Sequence, residues 1–139
     1  MGLDRQSANT DVDDRVAARL DDIVDDIRFA CVFGSAATGN LTAESDYDLA
    51  VDAGRRLKPA ELLELAASLE AVAGRPVDIV DLWAAGPILK MQVLRKGRLL
   101  LCHAPTAVAE FQMYTPKQYA DWKRRRRPIE EALIHRIRS

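Results

Sequence analysis

Short apolar segments alternate with helix-like stretches along this chain, and this alternation constrains the fold more than any other feature. Glycines end two of the helix-like stretches, at Gly74 and Gly97, and prolines open the same two at Pro59 and Pro87. Strands that alternate with helices favour an α/β or α+β domain. Four segments have the length and apolar character of strands: Ala30–Phe33, Asp46–Asp52, Val77–Leu82 and Arg98–Cys102.

The two ends of the chain are predicted to be helical. Apolar residues recur at helical spacing from Val12 to Ile27, after a loose tail at residues 1–10. The C-terminal segment, residues 106–139, is predicted to be helix with a break around Thr115-Pro116, because proline removes a helical hydrogen bond. With 139 residues, the chain is interpreted as a single domain over residues 1–139.

Composition excludes several classes of protein. Hydrophobic residues make up 48% of the chain and charged residues 29%, which argues against disorder, and no apolar run is long enough to cross a membrane. No early apolar stretch with a basic flank suggests a secretory signal, so the expected location is the cytoplasm. Cys31 and Cys102 lie in apolar runs and are expected to be buried thiols rather than a disulfide.

The charges balance overall but are distributed unevenly. The chain has 20 basic and 21 acidic residues, so bulk charge predicts no nucleic-acid partner. No membrane partner is expected either. Aspartates are concentrated between Asp4 and Asp26, whereas Lys123–Arg127 is an uninterrupted basic run. The Asp21–Asp26 cluster is interpreted as a solvated helix face, and the basic run as a face toward solvent or a partner.

Two aspartates, Asp46 and Asp48, begin the second predicted strand. Residues two apart on a strand point to the same face, about 7 Å apart at the backbone, so their carboxylates can share a cation. Oxygen-only ligands suit Mg²⁺, which leaves coordination positions open for phosphate oxygens. The alternative is a solvated strand edge with no metal.

Gly34 and Ser35 follow directly after the first predicted strand. A glycine there lets the backbone approach a ligand closely, and a following helical turn would offer N–H groups to a phosphate. The Ser35 hydroxyl would add one donor. Taken alone, however, a Gly-Ser pair is more often an ordinary turn.

Asp78 lies in a predicted strand, and the residues next to it in that strand are apolar. A carboxylate in such surroundings needs a partner. If this strand lies beside Asp46–Val51, Asp78 could complete the metal site or accept a proton from an attacking hydroxyl. The alternative is that Asp78 caps a neighbouring backbone group.

The motif Gly34-Ser35, ten further residues, Asp46-x-Asp48 and then Asp78 resembles the minimal nucleotidyltransferases of the DNA polymerase β superfamily. The closest resemblance is to the MNT-domain antitoxins, which are encoded beside HEPN-domain ribonuclease toxins. It implies a mixed sheet flanked by helices, the nucleotidyltransferase fold. It also implies that Gly34 and Ser35 hold the triphosphate of ATP. Asp46 and Asp48 would bind Mg²⁺, and Asp78 would be the third carboxylate, which activates the acceptor hydroxyl.

The resemblance implies the antitoxin of a type VII HEPN/MNT toxin–antitoxin pair. Such an antitoxin is a protein adenylyltransferase that moves AMP from ATP to a tyrosine of the HEPN toxin and so neutralises it. The sequence departs from the family at one position: many relatives carry a basic residue where this chain has Thr38, before Gly39. Two alternatives stay open, an antitoxin that acts by binding alone and a nucleotidyltransferase for a small molecule such as an antibiotic.

Overall fold

A computed structural model describes residues 10–34, 37 and 45–138 of the chain. Within them, four helices and four strands follow one another. The helices are α1 (Thr10–Ile23), α2 (Pro59–Ala73), α3 (Pro87–Lys96) and α4 (Pro105–Arg138). The strands are β1 (Phe29–Phe33), β2 (Tyr47–Asp52), β3 (Val77–Asp81) and β4 (Arg98–Cys102). None of the described helices is both long and apolar enough to cross a membrane.

The four strands form one mixed sheet in the order β3-β2-β1-β4. β1 pairs antiparallel with both β2 and β4, whereas β2 and β3 run parallel. The end of β1 therefore lies beside the beginnings of β2, β3 and β4. All the candidate acids belong to this end of the sheet, which we call the Gly34 end.

Each face of the sheet has its own hydrophobic core. One core joins α1 and α2 to a face of the sheet that includes Val32, Tyr47 and Leu49. The other joins α3 and α4 to the opposite face, which includes Cys31 and Ala50. Because both faces are covered, even the short side chain of Ala50 is fully buried. The predicted α+β fold with a mixed sheet and flanking helices is confirmed.

The first helix is shorter than its apolar pattern predicted. α1 begins at Thr10, within the predicted tail, and ends at Ile23, although Val24 and Ile27 continue the spacing. The chain turns at residues 25–26, and Ile27 packs in the core as part of the connection to β1. Ile27 is apolar because it is buried in the core and not because it belongs to the helix. The spacing of apolar residues therefore did not locate the end of α1.

The predicted break in the last helix is wrong, because α4 is continuous from Pro105 to Arg138 and includes Pro116 and Pro128. A proline costs one helical hydrogen bond, but tertiary packing can outweigh this loss. Here Phe111 and Thr115, which lie within the five residues before Pro116, are both buried. Phe111 also packs on Phe29 with ring centroids 5.7 Å apart.

Candidate active site

The backbone at Gly34 and the side chain of Asp48 form the centre of the candidate site. Gly34 follows β1 directly and has φ +68°, a left-handed conformation that favours glycine. A Cβ atom at this position would overlap the Asp48 carboxylate at Oδ2. Position 34 must therefore remain without a side chain if Asp48 is to keep its present position.

Asp48 lies on β2, and the neighbouring strand β3 brings the carboxylate of Asp78 close to it. In the register of the sheet, Asp48 is opposite Phe33 on β1 and opposite Asp78 on β3. Asp46 precedes β2 and is exposed. Burial raises the pKa of Asp48 above its usual value of 3.8, and the charges of Asp78 and Asp46 raise it further. The three acids therefore share one electrostatic environment, in which negative charge on Asp48 is costly.

Asp78 differs from the sequence expectation in one respect. Its apolar neighbours along the chain suggested a buried carboxylate in need of a partner, but Asp78 is the exposed residue of β3. Exposure to solvent explains why a carboxylate is tolerated between Val77 and Ile79, because an exposed carboxylate loses little of its hydration. An exposed carboxylate beside Asp48 is also accessible to a group from another molecule.

The donor set fits a hard divalent cation that shares its ligands with a substrate. Among residues 10–34, 37 and 45–138, no group of three or more His, Cys, Asp or Glu side chains could hold a metal ion by itself. Mg²⁺ does not require such a group, since one or two carboxylates with phosphate oxygens and water complete its octahedron. Asp48 with either neighbouring aspartate supplies those carboxylates, and a cation would relieve the charge cost at Asp48.

A buried polar network that the sequence analysis missed lies beneath these acids. The Tyr47 hydroxyl donates a 2.6 Å hydrogen bond to Oδ1 of Asp13, and an Arg98 guanidinium nitrogen donates a 2.7 Å bond to Oδ2. All three residues are at most 7% exposed. Burial and the bond to Asp13 raise the pKa of Tyr47, so its hydroxyl remains a donor at neutral pH.

This network connects α1, β2 and β4 directly behind the candidate site, because Tyr47 separates Asp46 from Asp48 in sequence. A signal for it was present: Asp13 lies three residues before Val16 and seven before Leu20, on the apolar face of α1. An acid on the core face of a helix needs a buried partner.

Two further acids, Asp52 and Asp81, have structural roles. Asp52 is 7% exposed and forms an ion pair of 2.9 Å with Arg28. Asp81 accepts hydrogen bonds from the backbone N–H groups of Leu57 and Trp83. Both acids lie at the end of the sheet remote from Gly34, so neither belongs to the candidate site.

The predicted phosphate-binding serine, Ser35, and the position of the family's basic residue, Thr38, lie outside the described residues. The described part of the site therefore consists of Gly34, Asp46, Asp48 and Asp78.

Comparison with known proteins identifies similar chains. The family model described as Polymerase beta, Nucleotidyltransferase matches residues 20–106. The protein adenylyltransferase MntA of Shewanella oneidensis is 32% identical over 88 residues, which cover 63% of this chain. The match also spans 63% of that relative, which is less than two thirds of its length.

Two solved structures share the fold over nearly their whole matched chains. A chain of a toxin–antitoxin crystal structure with AMP-PNP superposes with a TM-score of 0.79 at 27% identity, covering 88% of this chain and 98% of that one. A chain of the complex between a tri-AMPylated HEPN toxin of Shewanella oneidensis and its MNT antitoxin has a TM-score of 0.75 at 25% identity. That match covers 88% of this chain and 96% of the other.

Proposed function

The chain belongs to the polymerase β nucleotidyltransferase family, and we propose that it is a protein adenylyltransferase antitoxin that transfers AMP from ATP to a tyrosine of a HEPN-domain toxin. The similarity to MntA and to the complex with an AMPylated HEPN toxin supports this activity and this partner. In this proposal residues 1–139 form one minimal nucleotidyltransferase domain.

The observation that carries the proposal is the juxtaposition of Asp48 and Asp78 on parallel strands, with the backbone of Gly34 against Asp48. A glycine that allows close approach beside paired carboxylates suits a nucleoside triphosphate with its cation. The raised pKa of Asp48 supports the same assignment, because a cation would offset the charges that raise it.

Enzymes of this family generally use a divalent metal ion together with the nucleotide, and we assign Mg²⁺ to this role. Asp46, Asp48 and Asp78 would hold it together with the phosphate oxygens of ATP, because the three carboxylates do not form a complete metal site by themselves. When bound, the ion would neutralise phosphate charge and orient the phosphate oxygens. Gly34 and Ser35 would contact the triphosphate through backbone N–H groups and one hydroxyl.

Transfer of AMP requires an in-line displacement at the α-phosphorus of ATP. The tyrosine oxygen of the acceptor forms a bond to that phosphorus, the bond to the bridging oxygen of the β-phosphate breaks, and pyrophosphate leaves with the electron pair. The tyrosine proton passes to Asp78, whose exposed carboxylate is accessible to a hydroxyl of another protein.

The test uses α-labelled ATP, Mg²⁺ and the product of the neighbouring gene, which this proposal expects to be a HEPN-domain protein. The expected result is label on that protein with the wild-type chain, and at least about 100-fold less with Asp46→Asn or Asp48→Asn, since each removes transition-state charge stabilisation. Asp22→Asn, an exposed acid of α1 far from the site, is the matched control and should retain the wild-type rate. If wild type and Asp48→Asn leave the HEPN protein equally unlabelled, the enzymatic proposal is wrong.

Thr38 stands where many relatives carry a basic residue. This difference supports a second candidate function, in which the chain neutralises the toxin by binding alone. The same variants separate the two functions in a growth-rescue assay. The enzymatic proposal expects that the double variant Asp46→Asn/Asp48→Asn fails to rescue cells from the toxin at equal expression. Full rescue by this variant would instead establish an antitoxin that needs no catalysis.

A further inference from the structure

One buried carboxylate, that of Asp13, joins two strands of the sheet that are not neighbours. Its Oδ1 accepts the hydrogen bond from Tyr47 on β2, and its Oδ2 accepts the bond from Arg98 on β4. In the strand order β3-β2-β1-β4, β1 lies between these two strands. Because neighbouring strands are about 4.8 Å apart, Asp13 connects side chains from strands that are about 10 Å apart.

All three residues of this network lie where their elements begin. Tyr47 and Arg98 are the first residues of β2 and β4, and Asp13 lies in the first turn of α1. Arg98 pairs with Val32, two residues before Gly34, so the network lies at the Gly34 end of the sheet. The ends of strands open more easily than their centres, because fewer contacts hold them. The network therefore holds β2 and β4 at the end of the sheet that carries the candidate site.

The network and the carboxylate of Asp48 lie on opposite faces of β2. Successive residues of a strand point to opposite faces, so Tyr47 points away from the face that carries Asp48. The side chain of Tyr47 is fully buried in the core that α1 and α2 form with the sheet. The network therefore acts on Asp48 through the backbone of β2.

The backbone of Tyr47 extends this restraint to the strand that carries Asp78. Its N–H donates a 2.9 Å hydrogen bond to the carbonyl of Pro76, two residues before Asp78. In the register of β2 and β3, Asp78 is opposite Asp48. The side chain of Tyr47 is thus bonded to α1 and its backbone to the start of β3. Together these bonds determine how Asp48 and Asp78 face each other.

The candidate acids need a restraint of this kind. The carboxylates of Asp46, Asp48 and Asp78 repel one another, so the acids do not hold their own positions. A catalytic site requires its groups within about 0.5 Å of the productive geometry. A buried ion pair is often no more stabilising than apolar side chains of similar volume, so stability alone does not explain why this network is charged.

We propose that Asp13 and Arg98 are positioning residues for AMP transfer, which act through Tyr47 to hold Asp48 opposite Asp78 for the binding of ATP with Mg²⁺. This inference rests on the proposed function for the reaction and for the metal ion. Asp13 and Arg98 are both buried, so neither acts by contact with the acceptor protein. Loss of the network should lower kcat and weaken the binding of Mg²⁺ with nucleotide, and leave the KM for the acceptor unchanged.

The principal variant replaces the whole network with apolar side chains of similar size, by Asp13→Leu, Tyr47→Phe and Arg98→Met. The three polar groups are removed together, and such replacements are often neutral in the free energy of unfolding. Arg98→Lys is the conservative variant, because an ammonium group can still donate to Asp13. The matched control is Arg28→Met, which removes an ion pair of 2.9 Å at the end of the sheet remote from Gly34.

Two measurements do not depend on catalysis. Amide hydrogen exchange should become faster at Tyr47 and Asp48 in the triple variant, whereas Val51, near the other end of β2, should keep the wild-type rate. Calorimetry measures the binding of Mg²⁺ with α,β-methylene ATP, whose link between the α- and β-phosphates cannot be cleaved. The triple variant should bind this nucleotide at least about tenfold more weakly than wild type.

The kinetic measurement uses α-labelled ATP and the product of the neighbouring gene as acceptor. The triple variant should have a kcat at least about tenfold lower and require more Mg²⁺ for half its maximal rate, with the KM for the acceptor unchanged. Arg98→Lys should retain most of the wild-type kcat. Arg28→Met should unfold at a lower urea concentration and yet keep the wild-type kcat and Mg²⁺ requirement, because it acts far from the site.

Other results would overturn the inference. A folded triple variant that matches wild type in exchange, nucleotide binding and kcat shows that the network does not position the acids. An equal loss of kcat in the triple variant and in Arg28→Met shows that activity merely follows stability.

Two further outcomes are separated by the same measurements. If the triple variant does not fold, Tyr47→Phe decides: weaker nucleotide binding and lower kcat support the positioning role, and wild-type values refute it. If wild type labels no acceptor, the proposed function fails. Faster exchange and weaker nucleotide binding in the triple variant would then still support the positioning of Asp48, and wild-type values would refute it.

Discussion

The backbone of Gly34 lies so close to the carboxylate of Asp48 that a single added methyl group would overlap Oδ2. Gly34→Ala should therefore displace Asp48 and lower adenylylation by at least about tenfold, a loss of about 1.4 kcal/mol in transition-state stabilisation. An alanine in the left-handed conformation at φ +68° should also lower the free energy of unfolding, by roughly 1–2 kcal/mol. Initial rates and urea unfolding measure the two effects separately.

Gly74→Ala is the matched control for this variant. Gly74 ends α2 with φ +70°, and a Cβ there would meet nothing within 4 Å. It should lose a similar amount of stability while retaining the wild-type rate. If both variants lose activity in the same proportion, the effect of Gly34→Ala comes from stability rather than from Asp48.

Asp48→Asn is expected to reduce activity and to raise stability in the absence of metal. Burial and the charges of Asp78 and Asp46 raise the pKa of Asp48, so its charged form costs free energy in the folded chain at neutral pH. The amide removes that charge. Thermal unfolding in chelator at pH 7 should give a higher midpoint for Asp48→Asn than for wild type.

Addition of Mg²⁺ should reverse this order. The midpoint of wild type should rise with Mg²⁺ because binding to the folded state stabilises it, while that of Asp48→Asn should change little. Asp22→Asn, on α1, should respond as wild type does. If Asp48→Asn unfolds at a lower temperature than wild type in the absence of metal, repulsion between the carboxylates of Asp48, Asp78 and Asp46 does not destabilise the site.

The sequence predicted the strands well, because strand formation depends on local pattern. β4, for example, has the predicted bounds Arg98–Cys102, and β2 differs from its predicted bounds only in starting at Tyr47. The position of Asp78 opposite Asp48 could be predicted only on the condition that their two strands are neighbours in the sheet. Parallel pairing of β2 and β3 is a property of the whole sheet.

Features that depend on burial by distant residues were the ones missed. Pro116 was expected to break the last helix, but the packing of Phe111 and Thr115 is not visible in local sequence. In the same way, Asp13 is separated from Arg98 by 85 residues, and only the fold brings them to 2.7 Å. An acid on an apolar helix face signals that a partner exists without identifying it.

The salt bridge between Arg55 and Glu61 predicts how stability depends on pH. The Arg55 hydrogen bonds, with the Lys58 backbone N–H, lower the pKa of Glu61 from 4.5 to about 2. The folded chain thus binds this proton less tightly than the unfolded chain, so the contribution exists above about pH 4.5 and is lost as pH falls toward 2. Between pH 5 and pH 2, the thermal midpoint of Glu61→Gln should fall less steeply than that of wild type.

Glu64→Gln provides the comparison for that experiment, because Glu64 is exposed one turn along the same helix. It should retain the wild-type pH slope. High salt should reduce the difference between wild type and Glu61→Gln, since both partners of the salt bridge are exposed to solvent. Identical slopes for all three chains at low salt would contradict the assignment to Glu61.

The hydrogen bond from Tyr47 to Asp13 should stabilise the fold and position the start of β2. Tyr47→Phe keeps the ring but removes a 2.6 Å bond to a buried carboxylate, which should cost about 1–3 kcal/mol in urea unfolding. Because Tyr47 lies between Asp46 and Asp48, the variant should also lower kcat, and added Mg²⁺ should partly restore it. Tyr114→Phe, at a residue that is 51% exposed, should change neither quantity. A Tyr47→Phe chain as stable as wild type would mean that Arg98 alone satisfies Asp13.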